Sequence, residues 1–367
     1  MFERVAIQAF VDYVFGMKIA MLISGGVDSS VALRLLKDQG HNVSAFYLKI
    51  WLEDELAHLG ECPWEEDLGF IDKICKDAKV PLEVISMQRE YWDRVVSYTI
   101  AECKAGRTPN PDILCNQQIK FGQFYAKIDD SFKKVATGHY AQVEERDGLF
   151  HLMRSPDPVK DQTYFLSHLS QKQLSRALFP IGQYLKSEVR DLAKQFNLPN
   201  QARKDSQGIC FLGKIPYREF IREHLGTKPG DFIDQAKGKK VGEHEGYWFY
   251  TIGQRFGLRL SGGPWFVVGK DISKNMIYLA NGYQPTEVLG DRFTVENLNW
   301  IVPVGADDHP RLQVKIRHGA TMHSCTIESD GARIHVQLAE PIHGIAPGQF
   351  AVFYDGNECL GGGTILL

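Results

Sequence analysis

The 367-residue sequence predicts an α/β fold in which a parallel-sheet domain is followed by a small central domain and a C-terminal β-barrel. Three observations predict it. From Lys18, apolar runs alternate with helix-period segments in βαβα order, which builds a parallel sheet with helices on both faces. After about residue 211 the helical periodicity gives way to Gly-rich, aromatic and β-branched segments, such as 246–253 and 262–269. From Phe293, short alternating runs are parted by turn signals including Ser329-Asp330-Gly331 and Asp355-Gly356-Asn357, the pattern of a small all-β barrel. The expected boundaries are 17–211, 212–288 and 289–367, with residues 1–16 as an extension.

The elements follow in order. Lys18–Ile23 is a short apolar run that reads as the first strand. A Gly/Ser loop follows, then Ser30–Gln39 with Val31, Leu35 and Leu36 at helical spacing and Gly40 as a stop. Asn42–Ile50 reads as the second strand. Leu68, Ile71, Ile74, Cys75 and Ala78 share one helical face. Leu82–Met87 and Lys134–Thr137 read as the third and fourth strands. Ahead of them, Phe2, Val5, Ala6, Ala9 and Tyr13 lie at helical spacing, but Met17 is the expected initiator; the rival reading is a real amphipathic helix packed on the first domain.

Composition narrows the function classes. Hydrophobic residues make up 44% and charged residues 24%, an ordinary globular balance. The longest uncharged stretch, Pro341–Tyr354, is fourteen residues and contains two prolines and two glycines, whereas a spanning helix needs about 20 apolar residues. A cytoplasmic protein with no membrane partner is expected. The net charge of −3 excludes a uniformly cationic coat, but residues 151–240 carry 16 basic and 9 acidic groups, a local excess of +7. That excess is either a solvated face or the footprint of a polyanion.

The strongest local signal is Ser24-Gly25-Gly26-Val27-Asp28-Ser29-Ser30, between the first strand and the first helix. Two glycines let backbone approach a ligand, and the helix N-terminus offers free N–H groups and a positive dipole end. Such a loop suits pyrophosphate. It is neither a Walker loop nor GxGxxG. The run resembles the PP-loop of ATP pyrophosphatases, a group that includes synthetases, amidotransferases and tRNA-modifying enzymes.

Seven cysteines are present, Cys62, Cys75, Cys103, Cys115, Cys210, Cys325 and Cys359, and none forms CxxC, so a zinc ribbon or thioredoxin-type dithiol is not expected. Two have distinctive surroundings. Cys115 ends the proline-stiffened run Thr108-Pro109-Asn110-Pro111-Asp112-Ile113-Leu114, and Cys210 follows a Gly-containing turn near Arg203 and Lys204. Neighbouring cations favour a thiolate. Taken alone, each cysteine also reads as a small core residue.

The blocks SGGVDSS, RTPNPDILCNQQIKF, ATGHYA, KDQTYFL, KDSQGICF, GEHEGYWFYTIGQRFGL and PGQFAVFYDGNECLGGG, in this order, resemble the tRNA-specific 2-thiouridylase family, the tRNA-uridine 2-sulfurtransferases of the wobble position. The resemblance covers all but residues 1–16. It implies a Rossmann-like PP-loop ATP pyrophosphatase domain, and ATP bound by Leu22, Ile23, Ser24, Gly25, Gly26, Val27, Asp28 and Ser29, with Leu48 and Gly138 near the nucleotide. It implies Cys210 as persulfide carrier and Cys115 as its disulfide partner. Asp112 would accept a proton or orient the base, which Asn110, Pro111 and Asp112 would contact. His139, Lys160, Asp161, Gln162, Arg317, His318 and Gln349 would contact tRNA. Mg²⁺ is implied with ATP, the substrates being tRNAs for Lys, Glu and Gln, and sulfur would come from a relay protein or cysteine desulfurase.

The sequence departs from the family pattern at four places: Leu48 replaces a usual Met, the pair Leu22-Ile23 a usual Gly-Met or Ala-Met, Gln207 a common Thr, and His318 a frequent aromatic. None removes a reacting group. Two other readings compete: a PP-loop ligase of the amide-forming or tRNA-lysidine type, which needs no pair of cysteines, and a non-catalytic tRNA-binding protein with a vestigial loop.

Overall fold

The computed structural model describes residues 16–50, 64–205, 215–282, 289–304 and 311–366. The expectations for residues 1–15, and for Cys210 and its neighbours Ser206–Phe211, lie outside the described residues.

The first sheet comprises β1 (Lys18–Leu22), β2 (Asn42–Lys49), β3 (Leu82–Ser86), β4 (Lys134–Ala136) and β7 (Ala177–Leu178) in the order β3-β2-β1-β4-β7. Every pairing is parallel. Helix α1 (Val27–Asp38) buries Val31, Ala32, Leu33 and Leu36 against it, and Gly40, at φ +84°, turns the chain out of the helix. Helix α2 (Trp64–Ala78) opens with Glu65, Glu66 and Asp67, which suit the positive end of its dipole, and buries Ile71, Ile74, Cys75 and Ala78. The chain leaves β1 toward β2 but returns at β4 on the other side of β1. That reversal opens a crevice at the carboxyl ends of β1 and β4, where doubly wound sheets bind ligands.

The central region pairs β8 (Gly230–Asp234), β9 (Lys239–His244), β10 (Trp265–Asp271) and β11 (Met276–Asn281) in the order β10-β11-β8-β9, around Phe232, Val267, Ile277 and Leu279. The C-terminal strands are β12 (Leu289–Trp300), β13 (Leu312–Lys315), β14 (His323–Ser329), β15 (Ile334–His343), β16 (Phe350–Asp355) and β17 (Glu358–Leu366). They run β12-β15-β14-β13-β16-β17, and β12 also pairs with β17, closing a six-stranded antiparallel barrel. The closing seam requires small residues: a Cβ on Gly361 would lie 2.0 Å from the Asn299 carbonyl oxygen, and one on Gly363 2.5 Å from that of Glu296.

The structure departs from the sequence reading in two places. Helix α5 (Tyr217–Leu225) follows residue 211, where helical texture was expected to fade; it is nine residues long and buries only Phe220 and Ile221, too few for a periodic signal. Further back, β5 (Ala141–Arg146) and β6 (Leu149–Arg154) form a hairpin that leaves the α/β layer, and β6 pairs with β17 to extend the barrel sheet. The first domain is thereby stitched to the last. Among the described residues, no helix is long and apolar enough to cross a membrane.

Candidate active site

The Gly25-Gly26 turn sits at the mouth of the crevice. Gly25 takes φ +75°, a conformation that favours glycine, and a Cβ there would lie 3.1 Å from the Asp67 Cα. The turn is held from below. Ser29 Oγ accepts from the Ser24 N–H (3.2 Å) and donates to the Gly26 carbonyl (3.1 Å), which also accepts from Ser30 Oγ (2.8 Å). Asn200, 1% exposed, donates Nδ2 to the Gly25 carbonyl (2.8 Å) and to Ser30 Oγ (2.9 Å). Arg203 donates to the same Gly25 carbonyl (3.1 Å) and pairs with Asp67 (2.6 Å). Burial raises the Asp67 carboxyl while this arginine opposes the rise. With its carbonyls so engaged, the turn is built to present N–H groups to an anion.

Gly138, just beyond β4, packs directly on this turn: a Cβ would stand 2.7 Å from the Ser29 nitrogen and 2.9 Å from the Asp28 carbonyl carbon. Leu48 lies near the carboxyl end of β2, beside β1, so the residues expected near the nucleotide border one crevice. A Gly138→Ala variant must push backbone apart, a strain of about 1–3 kcal/mol. It is expected to weaken ATP-dependent pyrophosphate release roughly 5- to 150-fold while leaving tRNA binding intact. Equal ATP kinetics in variant and parent would show that the crevice is not the nucleotide site.

Beside the loop lies a cage of cations that the sequence reading missed. Helix α4 (Lys186–Gln195) presents Lys186 and Arg190 one turn apart. Lys186 Nζ bridges Asp28 (2.7 Å) and Asp205 (2.8 Å), and Asp205 also takes Lys160 (2.5 Å) and Arg190. Burial works to raise the Asp205 carboxyl, but hydrogen bonds from Lys160 and Lys186 outweigh it and bring it to about 2. Tyr140 completes the wall, donating to Asp28 (2.9 Å). Among the described residues, no group of three His, Cys, Asp or Glu side chains is placed to hold a metal ion. The i, i+4 spacing of Lys186 and Arg190 was visible in sequence, but reads equally as a solvated face.

The expected base-contact segment forms a short helical turn, Pro111–Leu114, capped by Asn110, whose Oδ1 accepts from the Ile113 N–H (3.4 Å). Asp112 is half-buried, and Cys115, one turn later, is 1% exposed. The barrel grips the start of this segment. Gln349 Nε2 donates to the carbonyls of Thr108 (3.2 Å) and Pro109 (3.4 Å), Thr108 N–H donates to the Pro347 carbonyl (2.8 Å), and a Cβ on Gly348 would meet Thr108 nitrogen at 2.9 Å. Cys75, Cys103, Cys325 and Cys359 are buried too, and desolvation raises all four thiols, Cys75 to about 11 and Cys325 and Cys359 to about 12. They are inert core thiols at neutral pH.

The expected tRNA contacts separate into exposed and buried groups. Arg317 and His318 are exposed; His318 stacks on Phe165 (4.5 Å) and its Nε2 donates to the Asp161 carbonyl (3.2 Å). Burial lowers the His318 imidazole, and its hydrogen bond to the Asp161 carbonyl opposes the shift. Gln162 is turned inward to accept from the Tyr140 N–H (3.0 Å), and Lys160 is spent on Asp205. His139 is only 8% exposed, packed between Phe121 and Phe179, with Nδ1 on Thr137 Oγ1 (2.7 Å); burial holds it neutral, so it brings no charge to a phosphate. The Asp161 carboxylate is fully buried, accepting from Lys315 (3.0 Å), Arg154 (3.2 Å) and Thr163 Oγ1 (2.8 Å), so it ties the barrel to the first domain.

Residues 17–214 match the family described as tRNA methyl transferase HUP domain, residues 218–281 the tRNA methyl transferase PRC-barrel domain, and residues 290–365 the Aminomethyltransferase beta-barrel domain. Among curated relatives, the tRNA-specific 2-thiouridylase MnmA of Parabacteroides distasonis is 47% identical over 355 residues, covering 95% of this chain and 99% of that protein. The enzyme of the same name from Porphyromonas gingivalis is 44% identical over 358 residues, covering 95% and 99%. The tRNA-specific 2-thiouridylase MnmA 2 of Bacteroides fragilis is 45% identical over 354 residues, covering 95% and 100%. With this identity along nearly its whole length and a family model matched over residues 17–214, the chain belongs to the tRNA-specific 2-thiouridylase family of tRNA sulfurtransferases.

Proposed function

We propose that this protein uses ATP to convert the wobble uridine of tRNA to 2-thiouridine, in the cytoplasm. Two observations support the reading: the tight Gly25-Gly26 turn at the switch point of the sheet, and the grip of the barrel on segment 108–115. A tRNA-bound base needs both, one to activate it and one to hold it.

The chemistry follows from the poor electrophilicity of a uridine C2 carbonyl. Its oxygen attacks the α-phosphorus of ATP; the bond to the β-phosphate oxygen breaks, and pyrophosphate leaves toward the N–H groups of residues 24–29 and the cations of the cage. Lys186 and Arg190 stabilise the departing charge by exchanging their carboxylate partners for phosphate oxygens. Mg²⁺ on the phosphates supplies further charge neutralisation. A persulfide on Cys210 then attacks C2 through its terminal sulfur, and AMP departs with the former carbonyl oxygen. The Cys115 thiolate attacks the Cys210 sulfur, leaving the terminal sulfur and its electron pair on the base as the thiocarbonyl. The product disulfide needs an external thiol to reset it.

Asp112, half-buried beside Cys115, is assigned the proton acceptor or orienting role, with Asn110 and Pro111 shaping the base contact. Reaching it requires the uridine to leave its stack, as an anticodon-loop base can. The exposed Arg317 and His318, with Gln349, form the nearest part of the tRNA contact. Persulfide sulfur comes from a cysteine desulfurase or relay protein, and the tRNAs for Lys, Glu and Gln are the proposed substrates. Nucleoside analysis of tRNA from cells lacking this protein tests the reading. Loss of 2-thiouridine, restored by the gene, is the expected result; unchanged 2-thiouridine would reject it.

A further inference from the structure

The block GEHEGYWFYTIGQRFGL has no part in the chemistry above, yet it leads into an unusual surface loop. Residues 246–270 contain no Asp or Glu, within the net-acidic segment 241–367. Phe256 is 81% exposed, the most exposed large hydrophobic side chain among the described residues. Arg255 lies over its ring (5.6 Å) and over that of Phe266 (5.9 Å). Among the described residues, neither Arg255 nor Arg259 has a carboxylate within ion-pair distance, whereas Lys186, Arg190 and Arg203 in the nucleotide crevice all do.

This exposure is built rather than loose. Gln254 closes the turn on both sides, accepting from the Thr251 N–H (3.0 Å) and donating to the Phe256 carbonyl (2.9 Å). Trp265 donates to the Ser261 carbonyl (2.9 Å), Asn281 donates to that of Gly262 (2.7 Å), and Leu258 is buried beneath. Arg259 is held at φ +54°, a conformation uncommon for residues other than glycine. Arg255, Phe256, Leu258, Arg259 and Trp265 line an open cleft of about 380 Å³. The loop also joins the surface already assigned to tRNA: Thr251 hydrogen-bonds Thr108 (3.2 Å), two residues before Asn110, and a Cβ on Gly253 would lie 2.9 Å from Gly344 Cα, which neighbours the Arg317 guanidinium.

We propose that the loop 253–264 is a second tRNA-binding site, where Phe256 stacks on an unpaired base and Arg255 and Arg259 take the adjoining phosphates. The inference rests on the tRNA thiolation reading. An exposed ring flanked by unpaired guanidiniums, with no acidic neighbour in sequence, is the chemistry of single-stranded nucleic-acid recognition. A protein partner would be drawn by an apolar patch with a mixed-charge rim, and this loop has cations alone.

The test uses the full chain and unmodified tRNA, with binding followed across a salt series. Phe256→Ala is expected to weaken tRNA binding about tenfold with the log–log salt slope unchanged, since stacking releases no counterions. Phe256→Tyr keeps the ring and should restore it. Arg255→Ala with Arg259→Ala should lower the magnitude of that slope by about 1.4, at roughly 0.7 per single-strand phosphate contact. These side chains are exposed, so thermal melting of the variants should match the parent and separate binding from folding. Parent-like affinity and slope in both variants would overturn the proposal, and so would slower sulfur transfer from a protein persulfide donor with tRNA affinity intact, which would give the loop to that donor. Failure of the parent itself to bind tRNA would instead remove the thiolation reading.

Discussion

Cys115→Ser and Cys210→Ser are each expected to lower thiolation more than about a thousandfold, as removal of a covalent nucleophile does in other enzymes. tRNA binding and ATP-dependent pyrophosphate release should both persist, because in the proposed reaction adenylation precedes either thiol's step. The remaining described cysteines are expected to tolerate the change to serine catalytically, since burial holds Cys75, Cys103, Cys325 and Cys359 protonated. Cys115 sits at the opposite end of one helical turn from Asp112, in a segment that the barrel grips through Gln349. Its 1% exposure keeps bulk oxidants away, so its pairing with Cys210 should form only in turnover. Peptide mapping after a single turnover without reductant should recover a Cys115–Cys210 disulfide. Thiolation at parental rates in either variant would defeat the assignment.

The parts of this site that were legible in the sequence are those whose chemistry is local. Ser24–Ser30 announces an anion-binding turn because the strand, the glycines and the helix start are contiguous, and the prolines of 108–115 announce a stiffened segment, although its Asn110 cap was found only in the structure. The cation cage was not legible: Lys186 reaches Asp28 across 158 positions and Asn200 reaches Gly25 across 175. Nothing in a local window separates such a lysine from a solvated one. The burial of the Asp161 carboxylate was hidden for a related reason, since a charged KDQ run reads as surface and its buried partner lies 154 positions away. The β5–β6 hairpin was missed because its outward residues are polar and its pairing partner is the last strand of the chain. Averaging charge over long segments also hid Arg255 and Arg259, which stand in an acid-free run within the net-acidic segment 241–367.

Lys315→Ala is expected to destabilise the protein by about 3 kcal/mol, near the lower end of the range for breaking a buried ion pair. The removed ammonium and the carboxylate it serves are both 0% exposed, so water cannot replace the lost partner without opening the junction between β13 and the first domain. Arg154 still reaches Asp161 at 3.2 Å, which keeps the loss from the top of the range. The truncation also empties the space over the Tyr354 ring, 5.1 Å from Nζ. Asp161→Ala should cost more, because it strands Lys315 and Arg154 together with no carboxylate between them and leaves Thr163 Oγ1 without its acceptor. A double replacement, Lys315→Met with Asp161→Asn, removes both buried charges at similar volume and should recover much of the loss. Urea unfolding of the parent and the variants reads these differences directly. If Lys315→Ala unfolded at the parental midpoint, the buried pair would not be what joins the barrel to the first domain, and the hairpin strand pairing with the Thr108 and Gln349 hydrogen bonds would have to carry that junction.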